Sequence, residues 1–277
     1  MLVSLREILA DADKGGYAVP AFNVYNMETV MGVLHAAEAT RSPVIMQIYS
    51  RLFDGENGKF ACANILAAAK YATVPVACHL DHGATEAQVA GALEAGATGI
   101  MIDASKLEFD DNAALTKKVV ALCKQAGNIA VEGELGHVGT TKEEIGDNYT
   151  EPDAARRFVE ETGVEALAVA VGTAHGRYKK APKLAIGRIR EIKEATGVPL
   201  VLHGGSGVPD EEIRAAVKAG IRKMNFSTDL CYSFLDTVFA TSREWVGIDL
   251  FMRDAVKAVE TFALSKIEVL GSAGQAK

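Results

Sequence analysis

The sequence predicts a single (β/α)8 barrel of the α/β class with an extra helix at each end, and three observations carry that expectation. Short apolar runs recur eight times, amphipathic stretches lie between them, and polar residues gather where the apolar runs end. Parallel strands buried on both faces need no apolar/polar alternation, and strand–helix alternation over about 250 residues is the pattern of a barrel. An open doubly wound sheet is the structural alternative. Against it, no G-x-G-x-x-G opens the first strand–helix unit, and the glycine-rich element comes late, after the seventh run.

In chain order, the first element is an amphipathic helix with Leu2, Leu5, Ile8 and Leu9 on one side and Arg6, Asp11 and Asp13 elsewhere. It lacks the unbroken apolar centre of a signal peptide. The strands are expected at residues 17–24, 44–49, 74–81, 99–105, 129–136, 166–172, 199–205 and 223–229. Helices are expected at 28–41, 86–95, 112–126, 153–162, 184–196 and 211–219, and Gly96, Gly127, Gly163, Gly197 and Gly220 supply stop signals. No linker or composition shift divides residues 1–277, so one domain is expected, with residues 266–277 as a loose tail.

The chain is 49% apolar and 23% charged, enough to bury a large core. Its formal charge of -7, with Lys179-Lys180 as the longest basic cluster, argues against nucleic acid as a partner. An anionic substrate would then be held locally, by backbone amides or a metal. Cys62, Cys78, Cys123 and Cys231 form no C-x-x-C pair and lie in or beside apolar stretches, as reduced core cysteines do. No run approaches the roughly 18 apolar residues of a membrane span. A cytoplasmic protein without membrane contacts is expected.

Barrel chemistry sits at the C-terminal ends of the strands. Of six histidines only His35 falls inside an expected helix; His79, His82, His137, His175 and His203 end or follow strands and are expected at one rim. A lone histidine is more often a hydrogen-bonded loop or core residue, but gathering changes that balance. Catalytic zinc takes three protein ligands and keeps one position open, and His82, His175 and His203 can supply them if the barrel is right. Asp81, Asp103, Glu132 and Glu134 join the same rim. Asp81 is read as a proton donor or acceptor; for Asp103 and Glu134 the plainer role is to hold a histidine or lysine.

Phosphate is often bound in barrels by the loops after strands seven and eight. Gly204-Gly205-Ser206-Gly207 and Asn225-Phe226-Ser227-Thr228 occupy those places, and glycines let the main chain present N–H groups to an anion. Schiff-base chemistry needs a lysine in the cavity, and strand six has none. Lys223 begins the expected eighth strand and should point to the opposite rim. Metal chemistry fits better.

The segments His79-Leu80-Asp81-His82-Gly83, Met101-Ile102-Asp103-Ala104-Ser105, Glu134-Leu135-Gly136, Gly172-Thr173-Ala174-His175-Gly176, Leu202-His203-Gly204-Gly205-Ser206-Gly207 and Lys223-Met224-Asn225 resemble the class II ketose-bisphosphate aldolases, the fructose- and tagatose-bisphosphate enzymes. The resemblance implies a zinc-dependent lyase that reversibly cleaves a ketose 1-phosphate or 1,6-bisphosphate into dihydroxyacetone phosphate and an aldehyde. It makes His82, His175 and His203 the zinc ligands and Asp81 the acid/base at the C4 oxygen. Asp103 and Glu134 match acids that hold a second or displaced metal. Gly176, Gly204, Gly205, Ser206 and Asn225, Phe226, Ser227, Thr228 match segments that hold dihydroxyacetone phosphate, with a monovalent cation near the phosphate in some relatives. A homodimer or homotetramer is implied.

Two departures bear on substrate and base. Bisphosphate-cleaving relatives carry Asp-Pro-Arg near the C-terminus, whereas this chain reads Gly247-Ile248-Asp249, and by register Asp249 replaces the arginine that grips the distal phosphate. An acceptor without a terminal phosphate is therefore expected, with Arg51 or Arg253 as the residues able to restore phosphate binding. The loop after strand five reads Gly139-Thr140-Thr141-Lys142-Glu143-Glu144, and Glu143, or Glu144 after a one-residue shift, is the candidate base for the donor C3 proton. Ser50 matches a substrate-contacting serine of fructose-type relatives. A sugar-phosphate isomerase or epimerase on the same barrel, and a non-catalytic sugar-phosphate binding protein, are the rival readings.

Overall fold

The computed structural model describes residues 1–141, 149–244 and 246–277. Eight parallel strands close in sequence order, β1 pairing with both β2 and β8. They are β1 (Val19–Asn23), β2 (Val44–Tyr49), β3 (Val76–Gly83), β4 (Gly99–Ile102), β5 (Ala130–Leu135), β6 (Ala166–Val169), β7 (Leu200–Leu202) and β8 (Ile221–Phe226). Around them run α2 (Met27–Thr40), α3 (Asn57–Tyr71), α4 (Glu86–Glu94), α5 (Phe109–Gln125), α6 (Pro152–Thr162), α7 (Ile186–Thr196), α8 (Asp210–Ala219) and α9 (Thr228–Ala240), with α1 (Leu5–Gly15) before the barrel and α10 (Ile248–Leu270) after it. The barrel and both terminal helices are thus as expected. None of these helices is long and apolar enough to cross a membrane.

Closure leaves no strand edge unpaired, and both strand faces are buried, which is why the runs read as continuous apolar segments. The outward faces meet the helices in one large core that includes Phe22, Ile100, Leu167 and Phe226. A second cluster fills the N-terminal end of the barrel: small inward residues, among them Ala21, Ala77, Ala130, Ala166 and Ala168, meet Leu5, Ile8, Leu9 and Ala12 of α1. Ser4 and Glu7 form a capping box that starts α1, so the helix is locally specified before it plugs the barrel floor.

Three expectations change. Strands six and seven stop at Val169 and Leu202, which places residues 170–176 and 203–207 in loops over the rim. Lys223 is the third residue of β8 rather than its first, and its side chain turns into the barrel to an ion pair with Glu132. Residues 266–277 are no loose tail: α10 runs to Leu270, Ser272 Oγ lies 2.8 Å from Ser42 Oγ, and Gly274 and Ala276 donate backbone N–H bonds to Thr40 and Arg41.

Candidate active site

The site begins with an irregularity in β3. Neighbouring side chains in a strand point to opposite faces, yet Asp81 and His82 both line one cavity. The β3–β4 register shifts between Leu80 and Gly83, and His82 adopts φ 51°, uncommon outside glycine. That kink turns consecutive polar residues to the same side.

Asp81 lies in a cradle of amides. Asn23, closing β1, donates to Asp81 Oδ2 at 2.7 Å, and Asn225 of β8 donates to Oδ1 at 3.0 Å. Burial alone would raise the Asp81 pKa, but the charges of His82, His203 and Lys223 and the Asn23 hydrogen bond outweigh it and hold the carboxyl below its ordinary value. The group is therefore a carboxylate at neutral pH, ready to accept a proton.

Beside it, the rings of His82, His175 and His203 come together with centroids 4.6 to 5.9 Å apart. One ring nitrogen from each lies within 4.8 Å of the others. His82 Nδ1 is 2.7 Å from Asp103 Oδ2, so its Nε2 is the nitrogen left over. His203 Nε2 is 2.9 Å from Glu132 Oε1 and its Nδ1 3.1 Å from Glu134 Oε2, while His175 Nε2 is buried without a hydrogen-bond partner. Buried polar atoms are rarely left so, and three converging imidazole nitrogens, two of them backed by carboxylates, are a donor set that suits a catalytic divalent metal such as zinc. The residues fit the metal. His82, Asp103 and Glu134 form a second group of the same compactness, with His82 shared.

The electrostatics follow from what backs each ring. Burial opposes a charge on His203, but its contacts with Glu132 and Glu134 prevail and push its pKa up to about 10. His175 has no such backing; burial and the charges of His82 and His203 push it down to about 4. Glu132 is held well below the carboxylate range by Lys223 and His203 despite its burial. Asp103 is likewise low, its burial outweighed by His82 and Ser105. Two histidines expected at the rim stand apart from the triad. His79 lies deeper in the barrel, Nε2 3.5 Å from Glu132, and its pKa falls to about 3, chiefly by burial; His137 is exposed near the mouth and bonds Ser105 Oγ.

Above these groups opens a cavity of about 600 Å³, lined by Asp81, His82, Asp103, His175, Gly176, Gly204, Ser206, Asn225, Ser227 and Thr228 among others. The N-terminus of α9 meets it at Thr228, a helix end suited to an anion. Gly204 is required where it stands: its φ is 66°, and an added Cβ would come 2.4 Å from the Ala174 carbonyl oxygen. Tyr178 ties the two loops together, its hydroxyl bonding both Ala174 and Gly204.

Not every expected residue reaches the cavity. Gly205 spends its N–H on the Asn225 carbonyl, and Phe226 turns outward against Phe22 and Phe262. Ser50 is buried at the start of a 3-10 turn, and it is its neighbour Arg51 that lines the wall. Glu143 and Glu144 lie outside the described residues. Sequence reasoning missed Asn23, Tyr25 and Gln47. Asn23 closes an apolar run and obeys the rule that found the histidines; Gln47 is a polar residue inside one, a signal as plain as Glu132.

The family model for class II fructose-bisphosphate aldolase matches residues 3–275. Among solved structures, the YdjI aldolase from Escherichia coli K12 is similar with a TM-score of 0.90 and 38% identity, over 100% of both chains. A fructose-bisphosphate aldolase from Campylobacter jejuni has a TM-score of 0.83 over 100% of this chain and 97% of that one; at 23% identity the similarity is one of fold.

Proposed function

The chain belongs to the class II fructose-bisphosphate aldolase family, and from that membership we propose that it is a zinc enzyme that reversibly cleaves a ketose 1-phosphate into dihydroxyacetone phosphate and an aldehyde with no phosphate at its far end. The observation that carries this reading is the convergence of three imidazole nitrogens beside an amide-cradled carboxylate in one cavity. His82, His175 and His203 would hold the zinc, which when bound supplies a Lewis acid for charge developing on the donor's ketone oxygen.

The chain's own groups divide the remaining work. In cleavage Asp81 accepts the proton of the C4 hydroxyl, and in condensation it returns that proton to the C4 oxygen. Asp103 keeps His82 in the tautomer whose Nε2 is free, and Glu132 does the same for His203 Nδ1. Glu134, buried 3.1 Å from His203 Nδ1, would with His82 and Asp103 hold a second or displaced metal. Gly176, Gly204, Ser206, Ser227, Thr228 and the α9 N-terminus would hold the donor phosphate, and Glu143 remains the candidate for moving the C3 proton. The part of the cavity lined by Arg51 would take the aldehyde.

Proton exchange at C3 of dihydroxyacetone phosphate in deuterated water, followed by NMR, tests the reading without knowledge of the aldehyde. Stereospecific exchange that stops with chelator and returns with zinc is expected. No exchange in zinc-loaded protein would sink the donor assignment and favour an isomerase.

A further inference from the structure

We propose that Lys223 is a positioning residue for making and breaking the carbon–carbon bond, because its ammonium fixes the Asn225 amide with the N–H side toward Asp81. The inference rests on the aldolase reading, in which Asp81 moves the C4 proton. Lys223 and Asn225, two apart on β8, both face the barrel interior. Lys223 is 0% exposed, with Nζ 2.7 Å from Asn225 Oδ1 and 2.9 Å from Glu132 Oε2. Asn225 Nδ2 then donates to Asp81 Oδ1 at 3.0 Å.

A carboxamide has one accepting end and one donating end, so its two faces do opposite things. Flipped, Asn225 would aim its oxygen at the Asp81 carboxylate and its NH2 at the ammonium, two repulsive contacts in place of two attractive ones. The second arm of the cradle is built alike: Asn23 donates to Asp81 Oδ2, and Gln47 Nε2 holds Asn23 Oδ1 at 2.9 Å. Yet Gln47 is itself an amide able to turn over, and its Oε1 has no hydrogen-bond partner. An ammonium has donors only, so it can support one orientation of Asn225 and never the other. Of the two arms, the one ending on Lys223 is the one whose direction is dictated.

A merely structural lysine would do no more than balance the charge of Glu132, and the two roles separate in the reaction. Exchange of the donor C3 proton leaves the C4 oxygen untouched. Condensation needs Asp81 to pass its proton to that oxygen as the bond between C3 and C4 forms. Lys223→Met removes the donor, and Lys223→Gln keeps an N–H donor for Glu132 while replacing the ammonium by an amide that can turn over, so that the buried carboxylate is not left unpaired.

For wild type and both variants, bound zinc per chain, thermal melting, C3 exchange of dihydroxyacetone phosphate, and condensation with whichever of glycolaldehyde, glyceraldehyde and glyceraldehyde 3-phosphate the wild type turns over fastest would be measured. The expected result is zinc and exchange near wild-type levels, at least in Lys223→Gln, with condensation kcat down about 10- to 100-fold for the loss of one charge-assisted hydrogen bond. Exchange and condensation falling together, zinc lost with both, or condensation unchanged would each overturn the role. A wild-type protein that neither exchanges nor condenses overturns the aldolase reading itself, before any variant is compared, and the role of Lys223 with it.

Discussion

His203 stands between Glu132 and Glu134, and that placement makes metal binding a proton exchange. Its pKa of about 10 means that it carries a proton at neutral pH, whereas a ligating nitrogen needs its lone pair. Zinc held as proposed would displace that proton, so apparent affinity should rise with pH, about tenfold per unit for one proton between roughly pH 7 and 9. A competition titration against a chelator of known affinity measures this, and a flat profile would show that His203 is already neutral or is no ligand. At the other end of the substrate, Asp249 is exposed in the first turn of α10 and does not line the cavity, while Arg51 does and forms no ion pair among the described residues. A charged hydrogen bond is worth about 1.5–3 kcal/mol, so its loss should leave a ketose 1-phosphate favoured over its 1,6-bisphosphate by about 10- to 100-fold in kcat/KM. If the bisphosphate wins instead, Arg51→Ala tells whether Arg51 has taken over the grip.

At the scale of elements, the floor of the barrel depends on α1. The inward layer there is mostly alanine, too small to fill the space, and Leu5, Ile8 and Leu9 are buried against it. Leu5→Ala should therefore cost about 2–5 kcal/mol, read by urea denaturation, with C3 exchange per folded molecule unchanged; a cost below about 1 kcal/mol would mean that the floor closes without the plug. Strands were legible where burial on both faces writes them as apolar runs, and His82, His175 and His203 were legible because each interrupts or follows such a run. Lys223 was not. Its charge is neutralised by Glu132 on a strand more than 80 residues earlier in the chain, and no local pattern shows that pairing, so Lys223 reads as the polar start of a strand. The kink that turns His82 beside Asp81 was invisible for a related reason, since it arises from register against β4. The tail reads as loose because Ser272, Gly274 and Ala276 look unstructured in composition, while its order comes from the Ser272 hydroxyl on Ser42 and from backbone bonds of Gly274 and Ala276 to the end of α2.

For the whole molecule, the unsolved surface is an apolar one. Tyr232 and Leu235 of α9 line the cavity wall, and apolar side chains continue outward through Phe239 (84% exposed) to Val246 (93%) and Ile248 (73%) at the start of α10. Scattered exposed hydrophobes need no explanation, but for a run of them on adjoining elements we propose an association surface. With a charge of -7 the chain repels its copies at long range, so contact must come from local apolar burial rather than attraction between charges. The occupant consistent with the homodimer or homotetramer implied by the resemblance is a second copy of this chain. Light scattering on a sizing column should then give a multiple of the 29.3 kDa chain mass. Phe239→Glu with Ile248→Glu should shift that mass to the monomer while leaving bound zinc in place, because neither side chain touches a zinc-backing residue. A wild-type protein that runs at 29.3 kDa at micromolar concentration would remove self-association and leave this face to another partner.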